Sequence, residues 1–293
     1  MAEFVLSAFA DEASKSVEGQ IAALTRNGIP HIEPRGLEGK SVMDLTDEEI
    51  IAYRDALKDA GITTYSFGSP IGKYDIDADF DAYIPTVARA LEITKLLGAE
   101  NMRMFSFFVP QERVAECKEE VLRRIGIMLD MAREAGVRLC HENESRIFGQ
   151  MPDEVDVLLN TFPDLYSVFD AANFRYNDAD IDRGIEVSMR RPAYAHIKDA
   201  VYNPRAIVPS GEGEGKIGDL IDALDRTCDS RVTLTIEPHL AIFDGYSKID
   251  THTLKGRYTY ESNDAAFDTA VSALKRILTE KGYREGEGHV WKK

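Results

Sequence analysis

Four residues of the types that ligate metal ions stand at the ends of four successive apolar segments. They are Glu142, Asp170, His196 and Glu237, separated by 28, 26 and 41 residues. Three carboxylates gathered in a site of low dielectric would repel one another and lose hydration, so a cation must compensate for them. A divalent ion with a neutral imidazole would reduce their net charge to about −1. Hard oxygen ligands with one nitrogen favour Mn²⁺, with Mg²⁺, Co²⁺ or Zn²⁺ as alternatives.

Each of these residues, taken alone, also has a less specific interpretation. An acid at a strand end is often a solvated rim residue, and a strand histidine is often packed with its polar atoms satisfied. Four such residues on consecutive strands, about one strand–helix unit apart, favour a shared metal site. No cysteine is among them, which argues against a structural zinc site.

The segments that end in these residues belong to a longer alternation of strand and helix patterns. Eight short apolar, β-branched or aromatic runs predict strands at 4–9, 29–33, 62–67, 101–105, 137–142, 166–170, 193–198 and 232–237. Amphipathic stretches follow each run, and the clearest predict helices over 114–135 and 217–227. Strands that alternate with helices pair in parallel, and eight such units close a (β/α)8 TIM barrel, an α/β fold in a single domain.

We place the barrel at residues 1–281, followed by a C-terminal tail at 282–293. The tail is rich in glycine and is expected to be partly flexible, with the lone Trp291 anchoring it to a neighbouring surface. The alternative fold is an open doubly wound sheet. That fold would carry a GxGxxG turn after the first strand, and residues 10–13 read Ala-Asp-Glu-Ala instead.

Capping residues mark the starts of two helices. Ser14 is predicted to cap the first helix, and Thr46 with Glu49 gives the second a capping-box pattern. Gly28 and Gly61 then follow these two helices, where a left-handed residue commonly ends a helix.

Composition and charge restrict the classes of function. The chain has 293 residues, 44% of them hydrophobic, and a formal net charge of −16. Binding to a nucleic-acid duplex requires a cationic surface, so nucleic acid is disfavoured as a partner. The three cysteines form no CxxC pair, and no apolar run approaches the ~18 residues of a membrane span. We therefore expect a cytoplasmic protein with no signal peptide, disulfide or membrane segment.

Further polar residues near the strand ends are candidates for substrate binding. Lys198 lies two residues beyond His196 and could hold a substrate oxygen or form a rim salt bridge with Asp199. His239 follows the eighth strand and could contact substrate or make a hydrogen bond within its loop.

Two other residues, Arg103 on the fourth strand and Glu33 at the end of the second, are expected to complete the pocket. His141 and Glu144 flank the first metal-ligand candidate, Glu142. Because strand side chains alternate, His141 should point away from Glu142, and a supporting or packing role is expected for it.

Two long loops, 199–216 and 238–262, follow the seventh and eighth strands on the side where barrel active sites form. The first contains Gly-Glu-Gly-Glu-Gly-Lys at 211–216, which lacks the spacing of a phosphate-binding loop and carries two glutamates that would repel phosphate. A lid or turn and a non-phosphorylated substrate are therefore expected. The second loop could be a lid or a subunit contact in a homo-oligomer, through Tyr246, Tyr258 and Tyr260.

Six short motifs together resemble the xylose isomerase-like barrel superfamily. In chain order they are Ile-Glu-Pro-Arg at 32–35, Asp-Leu-Thr-Asp-Glu-Glu at 44–49, His-Glu-Asn-Glu at 141–144, Phe-Asp-Ala-Ala-Asn at 169–173, His-Ile-Lys-Asp at 196–199 and Ile-Glu-Pro at 236–238. The superfamily comprises sugar isomerases, sugar epimerases, inosose dehydratases and type IV AP endonucleases. The resemblance covers essentially the whole chain.

The resemblance implies roles for individual residues. The superfamily's metal-binding Glu, Asp, His and Glu match Glu142, Asp170, His196 and Glu237, and in its epimerases the first and last glutamates also form the acid/base pair. Those epimerases often have Asp-x-x-His at the sixth strand, whereas here Asp170 is followed by Asn173. Asparagine can hydrogen-bond a substrate hydroxyl but cannot transfer protons near neutral pH.

The activity implied is isomerisation or epimerisation of a small sugar or polyol, by proton transfer next to a metal-chelated carbonyl. An inosose-type dehydratase using the same site is the alternative. A DNA-repair endonuclease of this fold would need a histidine-rich trinuclear zinc site and a basic rim, which six histidines and a net charge of −16 disfavour. A barrel that binds sugar without turning it over would not need two acid/base glutamates beside a metal.

Overall fold

The computed structural model describes residues 1–241 and 258–293, which form a barrel of eight parallel strands. The strands are β1 (Glu3–Ala8), β2 (His31–Ile32), β3 (Thr63–Thr64 and Ser66–Phe67), β4 (Asn101–Met104), β5 (Arg138–Glu142), β6 (Tyr166–Asp170), β7 (Pro192–Ile197) and β8 (Arg231–Ile236). They pair in the order β1, β8, β7, β6, β5, β4, β3, and the first half of β3 pairs with β2. The barrel closes where the Glu33 N–H donates to the Ala8 carbonyl at 3.1 Å. The predicted fold class is thus confirmed.

The strand register explains why the chemically important strand ends meet. His196 on β7 stands opposite Asp170 on β6, and Ile197 stands opposite Ile236 on β8. Glu237 follows Ile236 directly, so it emerges beside His196. In parallel strands all carboxyl ends lie on the same rim, and there the side chains of neighbouring strands converge.

Helices surround the barrel. They are α1 (Val17–Arg26), α2 (Asp47–Asp59), α3 (Ile84–Leu96), α4 (Val114–Ala135), α5 (Pro152–Thr161), α6 (Ala171–Tyr176), α7 (Ile181–Ser188), α8 (Ile217–Thr227) and α9 (Asn263–Glu280). In α2 the buried residues Ile50, Tyr53 and Leu57 recur every three or four positions, which turns one face towards the strands. In the part of the chain that the structure describes, no helix is both long and apolar enough to cross a membrane.

The helix starts agree only partly with the sequence-based expectation. The capping box of Thr46 and Glu49 is present at the start of α2. Ser14, however, does not cap α1. Ser16 does, by accepting a hydrogen bond from the Gly19 N–H at 3.1 Å, while the Ser14 hydroxyl accepts from the Ser16 N–H at 3.3 Å.

The C-terminal tail contains short strands, one of which pairs with the barrel. A strand at Val290–Lys292 pairs antiparallel with β1, and Trp291 is buried beside Phe4 at its edge. The backbone of this strand pairs with β1, and the Trp291 side chain is buried. Together these contacts hold the segment against the barrel. The anchoring of the tail by Trp291 is thus observed, whereas its partial flexibility stays a prediction.

The two long loops after β7 and β8 are described to different extents. Residues Asp199–Val201 and Ala206–Val208 form an antiparallel hairpin that leads into the glycine-rich segment. Of the loop at 238–262, residues 242–257 lie outside the described residues, and so does the predicted lid or contact residue Tyr246. Tyr258 donates a hydrogen bond to Glu212 at 2.8 Å, which links the second loop to the first.

Candidate metal centre

The four residues predicted as metal ligands converge at the rim of the barrel. Glu142, Asp170, His196 and Glu237 each offer one ligand atom within 4.8 Å of the others, and all four are buried. His196 Nδ1 lies 3.1 Å from Glu142 Oε1 and 3.3 Å from Glu237 Oε2. We refer to these four residues as the metal cluster.

The hydrogen bonding of the metal cluster fits the binding of a cation. One buried atom from each residue has no hydrogen-bond partner: Glu142 Oε2, Asp170 Oδ2, His196 Nδ1 and Glu237 Oε2. Buried polar atoms in folded proteins nearly always have hydrogen-bond partners, so four atoms in one cluster that have only ion-pair contacts require an explanation. Three oxygens and one nitrogen form a donor set that suits a divalent ion.

The orientation of His196 supports the same interpretation. Its Nε2 lies 3.2 Å from Glu33 Oε2, and Glu33 Oε1 accepts from the Tyr194 hydroxyl at 2.8 Å. A carboxylate behind a histidine holds the proton on the far ring nitrogen and leaves the near nitrogen for a metal. Both oxygens of Glu33 are thereby engaged behind His196, so its position fits this orienting role better than the substrate contact expected from the sequence.

The pKa shifts within the metal cluster also favour a nearby positive charge. Burial opposes the protonated form of His196, but Glu142 and Glu33 raise its pKa well above the usual value. Burial, together with the charges of Glu237 and Glu142, raises the pKa of Asp170 to about 7, although Lys198 opposes this. A divalent ion at this position would compete with these protons, so metal binding is expected to depend on pH.

Arg103 supports Glu142 from β4. Its Nη1 lies 3.2 Å from Glu142 Oε2, and the guanidinium donates to the Ser69 and Gly68 carbonyls. Burial opposes ionisation of Glu142, but His196 and Arg103 lower its pKa to about 2. The predicted pocket residue Arg103 therefore lies in the site and keeps Glu142 ionised.

A second arginine, which the sequence reasoning missed, supports Glu237. Arg35 Nη1 lies 3.5 Å from Glu237 Oε1, and the same guanidinium pairs with Asp11 and Glu12 at 3.1 Å. Arg35 also lies over the Phe9 ring at 4.4 Å, and Arg103 lies 5.1 Å from that ring's centroid.

His239 completes this side of the site. Its backbone N–H donates to Glu12 Oε2 at 2.6 Å, and its Nδ1 lies 3.1 Å from Glu12 Oε1 and 3.4 Å from Glu237 Oε1. Glu12, Glu237 and His239 also bring ligand atoms within 4.8 Å of one another. Burial opposes ionisation of Glu237, but Lys198 and His239 lower its pKa well below the usual value.

Asn173 enters the site from α6, a helix that the sequence did not predict. Its side-chain amide donates to Glu142 Oε1 at 3.2 Å and to the Asn143 carbonyl at 2.9 Å. Asp170 caps α6, because its Oδ1 accepts from the Asn173 N–H at 2.9 Å. Oδ1 of Asp170 is thus used by the helix, and Oδ2 remains for the metal cluster.

Lys198 pairs with the metal cluster and not with its neighbour Asp199. Its Nζ lies 2.9 Å from Asp170 Oδ2 and 3.3 Å from Glu237 Oε2. These are charge contacts without hydrogen-bond geometry, since both oxygens lack a hydrogen-bond partner. The rim salt bridge with Asp199 that the sequence left open is therefore absent among the described contacts.

Asp199 instead binds the glycine-rich segment, which we call the glycine loop (residues 211–215). Its carboxylate accepts from the backbone N–H groups of Gly211, Gly213 and Gly215 at 2.8, 3.1 and 2.9 Å, and from Ala200 at 2.9 Å. A Cβ at Gly213 or Gly215 would collide with the Asp199 carboxylate. The loop therefore does cradle an anion, but that anion is the chain's own side chain.

His141 lies outside the metal cluster, as its alternation predicted. Its Nε2 is 2.9 Å from the Ser106 hydroxyl, and burial lowers its pKa to about 4. Glu144 pairs with Lys73 at 3.0 Å in a partly exposed position.

A family model matches residues 21–245 and is described as a xylose isomerase-like TIM barrel. The chain belongs to the xylose isomerase-like TIM barrel family. No curated protein matches the sequence.

Solved structures share the fold of this xylose isomerase-like barrel at low sequence identity. One is a zinc-bound IOLI protein, with 14% identity and a TM-score of 0.71 over 94% of this chain and 98% of that one. A D-allulose 3-epimerase from Methylomonas sp. has 17% identity and a TM-score of 0.72 over 94% and 100%. A probable 3-DHS dehydratase, AsbF from Bacillus anthracis, has 14% identity and a TM-score of 0.70 over 92% and 98%.

Rim position is the signal that could have revealed the missed residues of this xylose isomerase-like barrel. Asp11 and Glu12 follow β1 within four residues, and Arg35 follows β2 within three. These are the same kind of positions that identified the metal cluster on β5 to β8. No local spacing rule identifies them, because Arg35 reaches Glu237 across more than 200 residues of sequence.

Proposed function

We propose that this protein is a metal-dependent isomerase or epimerase of a small sugar or polyol. The observation that carries the proposal is the set of four converging ligand atoms without a hydrogen-bond partner, one from each residue of the metal cluster. Glu142 and Glu237 belong to that set and come from strands three apart on the rim. Two glutamates that flank one bound substrate can remove a proton from one face and return it to the other.

A divalent ion held by the metal cluster would polarise a substrate carbonyl and stabilise the negative charge that forms on proton loss. Glu142 and Glu237 both have lowered pKa values, so both are ionised and either can accept a proton. The first takes the proton from the carbon next to the carbonyl. The second takes a proton from solvent water and delivers it to the opposite face in epimerisation or to the neighbouring carbon in isomerisation, while the first returns its proton to solvent.

Lys198, Asn173, Arg103 and His239 are proposed to orient substrate hydroxyl groups. The structure puts each of them within 3.5 Å of a carboxylate of the site. Mn²⁺ is the proposed ion because oxygen donors dominate the cluster, and Zn²⁺ is the principal alternative because the related IOLI structure holds zinc.

Several structural relatives support a ketose as substrate. They include a D-allulose 3-epimerase, a D-psicose 3-epimerase and an L-ribulose 3-epimerase. The net charge of −16 supports a small molecule and not nucleic acid as the partner.

A dehydratase acting on a keto-polyol is the second candidate. Lys198 places a buried ammonium beside Glu237, where it could protonate a departing hydroxyl after the same proton abstraction. The relative named as a probable 3-DHS dehydratase favours this reaction class.

Proton exchange with solvent tests the proposal. The Mn²⁺-loaded protein would be incubated in D₂O with a panel of ketohexoses, ketopentoses and keto-inositols, and products followed by NMR and mass spectrometry. Deuterium at the carbon next to the carbonyl with an inverted centre or a moved carbonyl supports the proposal. Loss of water from the product supports the dehydratase instead, and an absence of exchange in every substrate with metal bound contradicts both.

A further inference from the structure

The Lys198 ammonium contacts two of the four atoms that the metal cluster offers to a cation. These atoms are Asp170 Oδ2 at 2.9 Å and Glu237 Oε2 at 3.3 Å. Neither oxygen has a hydrogen-bond partner, so the lysine approaches them as a charge and not as an oriented donor. A divalent ion would need the same two oxygens.

The surroundings show what the ammonium does there. Lys198 is 7% exposed, and Asp170 is fully buried. Carboxylates packed this closely without a cation would repel one another strongly in a medium of low dielectric. Lys198 places a positive charge against two of the three carboxylates and therefore stabilises the metal-free arrangement.

The backbone next to Lys198 is fixed, while its side chain is long enough to move. Asp199 is held to the glycine loop through three backbone N–H groups and also accepts from the Ala200 N–H, so the strand end cannot easily shift. The lysine side chain has four rotatable bonds and can swing its ammonium away from a fixed backbone.

Resting on the metal site proposed above, we propose that Lys198 is an internal counter-ion that exchanges with the metal. In the metal-free protein its ammonium holds Asp170 and Glu237 together. On metal binding the ammonium leaves these oxygens and turns to the substrate side of the site, where it can contact a substrate oxygen. The same residue thus preserves the metal-free site and serves the substrate in the metal-bound one.

The exchange has a consequence for metal affinity that a simple substrate-binding lysine lacks. Binding of the ion must break the two charge contacts of Lys198, so the lysine opposes metal binding. The variant Lys198→Met keeps an unbranched side chain one atom shorter than lysine and removes its charge. It should bind Mn²⁺ at least tenfold more tightly than wild type, a gain of ~1.4 kcal/mol, while its metal-free form melts at a lower temperature.

The experiment measures Mn²⁺ affinity by calorimetric titration of chelator-treated protein, with no substrate and no activity assay. Lys73→Met is the matched control, because Lys73 also pairs with a glutamate, Glu144, at 3.0 Å but does not touch the metal cluster. The control should bind Mn²⁺ as wild type does. An affinity of Lys198→Met within fivefold of wild type, or weaker, overturns the exchange.

Wild-type protein provides a second measurement in case Lys198→Met fails to fold. Reductive methylation of lysines, mapped by peptide mass spectrometry, would be compared with and without saturating Mn²⁺. Mn²⁺ should raise the methylation of Lys198 at least fivefold and leave Lys73 unchanged, and an unchanged Lys198 overturns the proposal. If wild type binds no Mn²⁺, Zn²⁺, Co²⁺ or Mg²⁺ at all, the proposed metal site itself fails, which is a separate result.

Discussion

Asp170 and Asp199 are two buried aspartates at the ends of neighbouring strands, and their carboxylate oxygens differ in the hydrogen-bond donors around them. Burial raises the pKa of both carboxyl groups, so the pKa does not distinguish them. Asp199 has four backbone N–H donors, whereas Oδ2 of Asp170 has no hydrogen-bond partner. A buried acid is therefore structural when backbone donors satisfy its oxygens, and it points to a ligand when an oxygen has only a charge contact, as Asp170 Oδ2 has with Lys198.

The largest expected difference between the metal cluster and the residues around it is in the catalytic rate of their variants. Glu142→Gln or Glu237→Gln should reduce the rate of epimerisation or isomerisation by ~10²–10⁴-fold, because an amide cannot accept the substrate proton. Glu144→Gln is the matched control in the same segment and should retain most activity. The measurement is the initial rate on the substrate that shows deuterium exchange. Near-normal rates in either cluster variant would remove that glutamate from the chemistry.

Loss of the contacts between Asp199 and the glycine loop should change the stability of the metal-free protein and not its stabilisation by metal. Asp199→Asn should lower the free energy of unfolding by about 2 kcal/mol, because the side-chain NH₂ would face backbone N–H donors that the carboxylate now satisfies. Urea denaturation of the metal-free protein checks this value. The same variant should still be stabilised by Mn²⁺, and loss of that gain would mean that the glycine loop and the metal cluster are not separate devices.

The same substitution at position 170 should instead remove the stabilisation by Mn²⁺. Mn²⁺ at 100 times its Kd should stabilise wild type by about 2.7 kcal/mol, and Asp170→Asn should lose this gain because Oδ2 is a proposed ligand. The metal-free variant should keep the cap of α6, since the asparagine carbonyl can still accept from the Asn173 N–H, but it loses the charge contact with Lys198 and should be less stable than wild type. Thermal melts with chelator and with Mn²⁺ test both statements, and a full Mn²⁺ gain in this variant would exclude Asp170 as a ligand.

Glu33 offers the smallest effect and tests the support behind the metal cluster. In Glu33→Gln one oxygen acceptor is lost, so Tyr194 and His196 cannot both donate to the side chain. The Mn²⁺ affinity should fall by ~10–100-fold, as for other residues that orient a metal-ligating histidine. Calorimetric titration measures it. An unchanged affinity would show that His196 needs no orienting carboxylate.

The regular parts of the fold were predictable from the sequence because their patterns are long and local. The structure places α4 at Val114–Ala135, α8 at Ile217–Thr227 and β6 at Tyr166–Asp170, with the bounds that periodicity predicted. The helix α6 was not predicted. It has six residues and begins directly after β6, and its cap is Asp170, a side chain whose strand-end position had been read only as chemistry.

The gathering of the metal cluster was predictable for a related reason, since consecutive strand ends must be neighbours in a barrel. The contacts around it were not. Arg35 reaches Glu237 only because β1, β2 and β8 close the barrel, and no local pattern contains that closure. The partner of Lys198 could not be predicted either, because Asp170, Glu237 and Asp199 are all acids at or just after strand ends on the same rim.

The ring of Phe9 touches both halves of the site. It lies 4.4 Å from the guanidinium of Arg35 and 5.1 Å from that of Arg103, and its edge packs against His196 at 5.1 Å. Disturbing this one apolar side chain would reach the supports of Glu142, Glu237 and the imidazole together. Substitutions of Arg35 and Arg103 should therefore be thermodynamically coupled, so that their effects do not add. A substitution that changes the pKa of one glutamate through its arginine should for the same reason also affect the other glutamate.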